Sequence, residues 1–164
     1  MTVARHAIAQ PAPPALHAMT LADVDAVMAV EVRAYSHPWS RGNFVDSLVA
    51  GYLAEVLATP DGGVCGYCVA MQGVDELHLL NITVAPECQS AGLGHQLLQL
   101  VQERALQRAL STLWREVRQS NQRARSLYRR LGFAEVGLRK AYYPADAQRE
   151  DAVVMRLPLM QAPP

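Results

Sequence analysis

A short segment with two glycines is the part of the chain whose residue types best suit the binding of an anion. The apolar run at residues 79–84 leads through Pro86 into a loop at residues 89–95, and apolar residues then recur at helical spacing. Gly92 and Gly94 lack the β-carbons that would hold a ligand away from the backbone. The first amides of the new helix have no intrahelical acceptor, so the segment is predicted to hold a phosphate at a helix start.

The sequence of this loop does not match two common phosphate-binding motifs. A dinucleotide fingerprint would need glycine where Leu97 stands, and a P-loop would need lysine and serine or threonine where His95 and Gln96 stand. The pattern that remains is QxxGxG, from Gln89 to Gly94. A plain strand-to-helix turn is the alternative for a pattern this short.

Glu116 is the main candidate for a general base. It stands near the carboxyl end of the apolar run at residues 111–117, and open α/β sheets place their ligands beyond such ends. The alternative is a charge paired with Arg115 or Arg118. His78 is a rival base that shares a strand face with Glu76, although a single histidine on an apolar strand is more often structural.

The cysteines indicate core packing rather than a metal or redox site. The chain has three, Cys65, Cys68 and Cys88, and this odd number does not suggest a disulfide framework. Cys65 and Cys68 form a CxxC inside an apolar strand, where residues three apart point to opposite faces. No second CxxC completes a zinc site, and no cysteine stands in a recognisable nucleophile setting. We expect no metal.

Composition predicts one domain in the cytoplasm. The 164 residues are 51% hydrophobic with a formal net charge of zero, so neither nucleic acid nor an anionic membrane is expected as a partner. No apolar run is long enough to span a bilayer, and the first residues lack a secretory pattern. A basic tract is interpreted mainly as a solvated helix face, with one or two members able to reach a phosphate: Arg115, Arg118, Arg123, Arg125, Arg129 and Arg130.

The order of elements is predicted to be βααβββαβαββ. We expect a flexible leader at residues 1–14, a single domain at 15–160 and a tail at 161–164. Strands are expected at residues 16–19, 52–58, 64–71, 76–84, 111–117, 133–137 and 151–157, and helices at 20–33, 40–51, 93–108 and 121–131, with a loop at 139–150. The strand at 111–117 follows a strand-helix crossover and should therefore lie parallel to the strand at 76–84.

Several segments resemble one family throughout the chain, from residue 16 to 159. They are His37-Pro38-Trp39-Ser40, Asn81-Ile82-Thr83-Val84, the QxxGxG loop, Leu113-Trp114-Arg115-Glu116-Val117-Arg118 through Asn121, Leu127-Tyr128 with Leu131-Gly132-Phe133, and Tyr142-Tyr143-Pro144 with Arg149-Glu150-Asp151-Ala152. Together with the element order, they resemble the GCN5-related N-acetyltransferases (GNAT), and within these the RimI-type ribosomal-protein-alanine N-acetyltransferases. The resemblance implies an α/β GNAT fold with a mixed, mostly antiparallel sheet of six to seven strands flanked by helices.

The resemblance also implies an activity. Such enzymes transfer acetyl from acetyl-CoA to the N-terminal alanine of the eighteenth small-subunit ribosomal protein, without a metal. It implies Glu116 as the base, acting directly or through water, and Tyr128 as the acid, although periodicity alone would make Tyr128 an ordinary buried tyrosine. Direct attack in a ternary complex is expected.

The implied binding residues fall into two groups. Those for acetyl-CoA are Ile82, Thr83, Val84, Gln89, Ser90, Ala91, Gly92, Leu93, Gly94, His95 and Asn121. For the peptide, we expect Trp39, Tyr142 and Tyr143 in aromatic loops that flank its entrance, and Glu76 to help hold a cationic substrate. The chain departs from the family at Ser90 and Ala91, where longer polar or basic side chains are usual.

Three alternatives to this function stay open at this point. The first is acetylation of other protein N-termini, the second is acetylation of a small amine such as an amino acid or a polyamine, and the third is sensing of acetyl-CoA without turnover. Each of these functions requires two adjoining parallel strands to part beyond Val84 and Val117, so that the gap between the strands admits a thioester.

Overall fold

The computed structural model describes residues 12–160. The expected leader at residues 1–14 lies outside this range apart from its last three residues, and the expected tail at 161–164 lies wholly outside it. The described elements are β1 (Ala15–Ala18), α1 (Val24–Ala34), α2 (Arg41–Val49), β2 (Leu53–Ala58), β3 (Val64–Gln72), β4 (Glu76–Val84), α3 (Leu93–Gln107), β5 (Thr112–Arg118), α4 (Gln122–Arg130), β6 (Ala134–Tyr143) and β7 (Glu150–Pro158). Short 3-10 turns at Leu21–Asp23 and Pro86–Cys88 precede α1 and α3.

The predicted fold is confirmed. The strands form one seven-stranded sheet in the order β1-β2-β3-β4-β5-β7-β6. The β4–β5 pair is parallel, as expected from the α3 crossover, and the other pairs are antiparallel. Capping boxes at Thr20 and Ser40 start the first two helical segments, because each hydroxyl and the side chain three residues later satisfy amides that the helix leaves free.

Helices cover the two faces of the sheet unequally. On one face, α3 and α4 enclose a core that contains Leu77, Leu97, Leu113 and Met155. On the other face, α1 and α2 pack over β2, β3 and β4 around Phe44. The strand β6, at the far edge, is exposed along almost its whole length. The second face is therefore accessible near β5, β7 and β6.

The strand β6 is longer than predicted. The loop expected at residues 139–150 is wrong for its first five residues, which continue β6 to Tyr143. Ala141 has a φ of 50°, and the register with β7 shifts between Arg139 and Tyr143. The Asp151 carboxylate accepts a hydrogen bond from the Ala141 amide at 2.8 Å. Because this pairing depends on the partner strand and on a side chain, the local pattern of residues 139–143 does not reveal it.

The strands β4 and β5 part from each other, as required, but earlier than predicted. They pair only from Glu76 with Thr112 to Leu79 with Arg115, whereas β4 runs on to Val84. The cause is a β-bulge in β4. Val69 of β3 pairs with Asn81, and the next β3 residue, Ala70, pairs with Leu79, which leaves Leu80 of β4 as an extra residue. A bulge bends its strand and increases the local twist, so β4 turns away from β5 from Leu80 onward.

A second bulge corrects the expectation for the CxxC. Leu57 pairs with Gly66 and Ala58 with Val64, so Cys65 is the extra residue on β3. Cys65 and Cys68 consequently lie in the same core, under α3, instead of on opposite faces. Both are buried, which confirms core packing. The Cys65 sulfur lies 3.0 Å from the sulfur of Cys88.

These thiols are predicted to be unreactive. Burial raises the pKa of Cys65 to about 11 and that of Cys68 to about 12, so both stay protonated at pH 8. Iodoacetamide applied to the native protein at pH 8 is expected to leave both unmodified by mass spectrometry, whereas the unfolded protein is alkylated at every cysteine. Labelling of Cys68 in the native protein would contradict this burial.

Candidate active site

The edge of β4 beyond its bulge presents backbone groups to the gap. The Ala85 amide donates to the Cys65 carbonyl on β3 at 2.8 Å. Because backbone groups alternate in direction along a strand, those of Val84 and Ile82 point to the other side. Side chains already reach these two carbonyls: the Tyr35 hydroxyl donates to Ile82 O at 3.2 Å, and Gln89 Nε2 lies 3.4 Å from Val84 O. An extended ligand with amide groups would find a strand edge here.

A cleft of about 680 Å³ opens beside this edge. It lies between the end of α1, the end of β4, the start of α3 and one face of α4. Apart from Ala91, every residue predicted to contact acetyl-CoA lines it. The lining residues are Ala34, Tyr35, Ile82, Thr83, Val84, Gln89, Ser90, Gly92, Leu93, Gly94, His95, Leu98, Asn121, Arg123, Ala124, Leu127, Tyr128, Arg130 and Leu131.

The start of α3 offers free amides to this cleft. Gly92 has a φ of 79°, in the left-handed region, and the helix begins at Leu93. The bond from the Gln96 amide to the Gly92 carbonyl closes the first turn, so the amides of Leu93, Gly94 and His95 precede the intrahelical ladder. They lie at the positive end of the helix dipole. The geometry suits a phosphate.

Gly92 and Gly62 provide a matched pair for testing this feature. Both have positive φ, and a β-carbon at either would meet nothing within 4 Å, but Gly62 lies in the β2–β3 turn. Replacement of each by alanine is expected to cost about 1 kcal/mol of folding free energy. Only Gly92→Ala should weaken CoA binding, by about tenfold, because it disturbs amides that bind the phosphate. Calorimetric titration of both variants checks this, and equal affinities would contradict the assignment.

The basic tract divides into three groups. Arg123 and Arg130 line the cleft. Arg118 pairs with Glu150, and Arg125 and Arg129 pair with Glu135, so these three are held in ion pairs. Arg115 was expected on a solvated helix face, and this expectation is wrong. It projects from the middle of β5, where its Nη1 atom donates to the Leu79 and Leu80 carbonyls.

Tyr128 and Asn121 lie on α4 and at its start. Asn121 caps this helix, since its Oδ1 accepts from the Ala124 amide at 3.1 Å. Tyr128 is only 3% exposed and packs edge-on against Phe133, with ring centroids 5.3 Å apart. It also lines the cleft. Tyr128 is therefore both a core residue and part of the cleft wall.

Glu116 lies on the other face of the sheet. Leu113 and Val117 point into the α3-side core, so strand alternation directs Glu116 to the opposite face. Its side chain is 12% exposed, and Oε1 lies 3.4 Å from Nε of Arg139. The alternative partners Arg115 and Arg118 do not pair with it. The gap between β4 and β5 thus has Tyr128 on one side and Glu116 on the other.

A buried carboxylate that the sequence analysis missed supports this site. Glu31 on α1 is 1% exposed and accepts hydrogen bonds from the Trp39 amide at 2.9 Å, from the Tyr67 hydroxyl and from Nδ2 of Asn81. The signal was available, because Glu31 follows Val24 and Val27 at the spacing of the buried helix face.

The same hydrogen-bond chain reaches the cleft. Asn81 Oδ1 accepts from the Thr83 hydroxyl at 2.7 Å, and this hydroxyl lies 2.7 Å from the hydroxyl of Tyr35. Tyr35 in turn donates to Ile82 O. Tyr35 was also missed, since a tyrosine that follows a helix carries no distinctive pattern. These hydrogen bonds join the segment at Trp39 to the β4 edge.

The segments at residues 35–40 and 144–149 meet across the accessible face. His37 Nε2 lies 3.5 Å from an Asp146 carboxylate oxygen. Tyr143 donates its hydroxyl to the Glu116 carbonyl at 2.9 Å, and burial raises the pKa of Tyr143 to about 12, so that it stays a donor. Tyr142 is 41% exposed. Arg139, which pairs with Glu116, lies over the Tyr142 ring, so both tyrosines lie near Glu116.

Two predicted site residues are placed differently from the rest. Trp39 packs against Phe44, with ring centroids 5.1 Å apart, so its ring contributes to the α2 core. Glu76 Oε1 lies 2.9 Å from Nε2 of His78. Both residues belong to the part of β4 that pairs with β5, whereas the cleft borders the other end of this strand, beyond Leu79. The structure therefore does not bring Glu76 or His78 to the cleft, and we assign neither to the site.

Two further features concern residues 12–160 only. Within this range, no group of three or more histidine, cysteine or acidic side chains is arranged to hold a metal ion. No described helix has the length and apolar character needed to cross a membrane.

A model of the acetyltransferase (GNAT) family matches residues 24–133, which is more than half of the chain. The chain belongs to this family. The ribosomal protein bS18-alanine N-acetyltransferase of Escherichia coli strain K12 is 39% identical to it over 137 residues, which cover 84% of this chain and 92% of that protein.

Solved GNAT structures agree with this assignment. The crystal structure of the ribosomal-protein-S18-alanine N-acetyltransferase from Escherichia coli superposes with a TM-score of 0.83 at 37% identity, covering 91% of this chain and 96% of that one. A phosphinothricin acetyltransferase from Sinorhizobium meliloti, solved with AcCoA, has a TM-score of 0.74 at 21% identity, covering 90% and 89% of the two chains, and so shares the GNAT fold. The predicted family is confirmed.

Proposed function

We propose that this protein transfers acetyl from acetyl-CoA to the N-terminal alanine of ribosomal protein bS18. The observation that carries the proposal is the parting of β4 from β5 after Leu79 and Arg115, because the end of β4 and Tyr128 line the cleft and Glu116 follows Arg115 on β5. The relative with 39% identity, named for this reaction, supports the choice of acceptor.

Acetyl-CoA fits the cleft through three kinds of group. Its diphosphate accepts from the amides at the start of α3, where Gly92 shapes the turn. Arg123 and Arg130 lie on the same cleft and supply charge for the remaining phosphate. The amide-bearing arm pairs with the backbone of Ile82 and Val84 as an added strand would. The thioester then lies in the gap.

The reaction needs one proton acceptor and one proton donor. The neutral α-amine attacks the thioester carbonyl carbon, a C–N bond forms, and the C–S bond breaks. Glu116 takes the proton lost by the amine, directly or through water, and Tyr128 gives its proton to the departing sulfur. A modest base suffices, because an α-amine has a pKa near 8. No covalent acetyl-enzyme is required.

The acceptor peptide approaches from the face on which Glu116 lies. There the segments at residues 35–40 and 144–149 meet through His37 and Asp146, and Tyr142 and Tyr143 lie beside Glu116. We place the reaction in the cytoplasm, with no metal, membrane or nucleic acid taking part.

A thiol-release assay tests the proposal. The protein is mixed with acetyl-CoA and a peptide that carries the bS18 N-terminus, and a peptide with a blocked N-terminus is the control. Release with the free peptide alone is expected, together with a mass increase of one acetyl group on its α-amine. Faster release with polyamines or free amino acids would replace the proposed acceptor, and binding of acetyl-CoA without release for any amine would indicate a sensor.

A further inference from the structure

Arg115 is a cation in an unusual position. It projects from the central strand β5 at the last residue that pairs with β4, where the gap begins. One nitrogen, Nη1, donates to Leu80 O at 2.7 Å and to Leu79 O at 3.1 Å. Leu79 is the last β4 residue that pairs with β5, and Leu80 is the bulge residue that follows it. Arg115 thus occupies the apex of the gap and holds its β4 side in place.

The hydrogen bonding of this guanidinium is incomplete. Its Nε atom is shielded from solvent and makes no hydrogen bond. In the described part of the chain, no carboxylate forms an ion pair with Arg115, although Glu116 is its neighbour and pairs instead with Arg139. A shielded cation without an anionic partner is unfavourable unless something compensates the charge. The two carbonyls provide only part of this compensation.

The side chains that face Arg115 are tyrosines. It interacts with Tyr128, Tyr143 and Tyr35. Burial lowers the pKa of Arg115, but interactions with these tyrosines leave the net shift upward, so the guanidinium stays charged at any working pH. Tyr35 and Tyr128 line the cleft, and Tyr143 bonds to the β5 backbone at Glu116. The cation therefore lies at the point where the two sides of the gap meet.

We propose that Arg115 is a positioning residue that keeps the gap open and places a fixed positive charge behind Tyr128, where negative charge develops as the thiolate of CoA departs. The inference rests on the proposed function only in that a thioester occupies the gap. The charge costs no reorganisation during the reaction, because the β4 carbonyls already fix the guanidinium. An opposite charge within about 4–6 Å lowers the pKa of an acid by roughly 1–3 units, so a CoA thiol in the gap becomes a better leaving group.

The pKa of the CoA thiol in the complex tests this proposal. Thiolate absorbance in the ultraviolet is followed against pH for CoA bound to the protein and for free CoA. The complex with desulfo-CoA, which lacks the thiol, supplies the protein background, including the tyrosines. The bound thiol is expected to titrate about one unit or more below the free thiol. A bound thiol that titrates at or above the free value overturns the proposal.

Variants identify Arg115 as the source of the effect. Arg115→Met removes the charge with little change in length, and Arg108→Met removes a guanidinium from the far end of α3, where it bonds to Gln72. The thiol pKa should return to the free value only in Arg115→Met, with kcat reduced about tenfold or more and the KM for acetyl-CoA nearly unchanged. A thiol pKa that is the same in Arg115→Met and the wild type overturns the assignment.

Two further results separate the charge-based role of Arg115 from a purely structural role and from the proposed function. Arg115→Lys keeps the charge and should keep most of the lowered thiol pKa, even if Arg115→Met folds poorly, and a full loss of the shift in a folded Arg115→Lys protein overturns the charge-based role. A lowered thiol pKa in a protein that acetylates none of the tested amines supports Arg115 and refutes the proposed function.

Discussion

Glu116→Gln is expected to lower kcat for the bS18 peptide by about 10²- to 10⁴-fold at pH 7, the usual loss when a general base is removed. The glutamine keeps the size of the side chain and can still lie near Arg139, whose Nε is 3.4 Å from the carboxylate. What it loses is the capacity to accept the amine proton. Initial rates of thiol release, measured at saturating acetyl-CoA, give the comparison.

The pH dependence separates a base from a structural residue. Because the α-amine loses its own proton near pH 8, the deficit of Glu116→Gln should shrink as pH rises from 7 to 9. CoA affinity should not change, since Glu116 lies on the other side of the gap from the cleft. Glu103→Gln on α3 is the control and should retain full activity. A Glu116→Gln rate within about threefold of the wild type at pH 7 would remove Glu116 from the mechanism.

Glu31→Ala should cause the largest loss of stability among the variants considered. It leaves three donors without an acceptor in a buried setting: the Trp39 amide, the Tyr67 hydroxyl and Nδ2 of Asn81. Unsatisfied buried groups cost about 1–3 kcal/mol each, so we expect a loss of about 3–5 kcal/mol in the free energy of unfolding. Thermal unfolding should then begin about 10 °C lower.

Two other variants define the origin of that loss. Asp25→Ala removes a carboxylate from the same helix. Asp25 is exposed and forms only a surface ion pair, with Arg41 at 3.5 Å, so no measurable change in the free energy of unfolding is expected. Glu31→Gln keeps one acceptor oxygen and should fall between the two. Chemical denaturation with equal m-values would show that stability itself has changed. If Glu31→Ala unfolded at the wild-type temperature, the buried network would have no role in stability.

Local patterns were sufficient to predict most of the fold. The 2-residue period of the strands and the glycine at the start of α3 each act within a few residues, and each appears as expected. The parallel β4–β5 pair followed from the crossover rule. The same reasoning located the candidate phosphate loop and the carboxylate on β5.

The features missed from the sequence depend on contacts between distant segments. The bulge at Leu80 appears only in the pairing of β4 with β3, and the gap starts after Leu79, five residues before Val84. Arg115 was grouped with solvated arginines because its acceptors lie on another strand. Glu76 was expected to help hold a cationic substrate, and it lies at the paired end of β4 beside His78.

Hydrogen exchange with and without CoA is the most direct measurement of where the acyl donor is held. We expect slower exchange on CoA binding at the amides of residues 82–84 and 92–96, and little change in β2 at the other end of the sheet. Tight CoA binding without added protection in those two segments would contradict the placement of the ligand between the diverging strands.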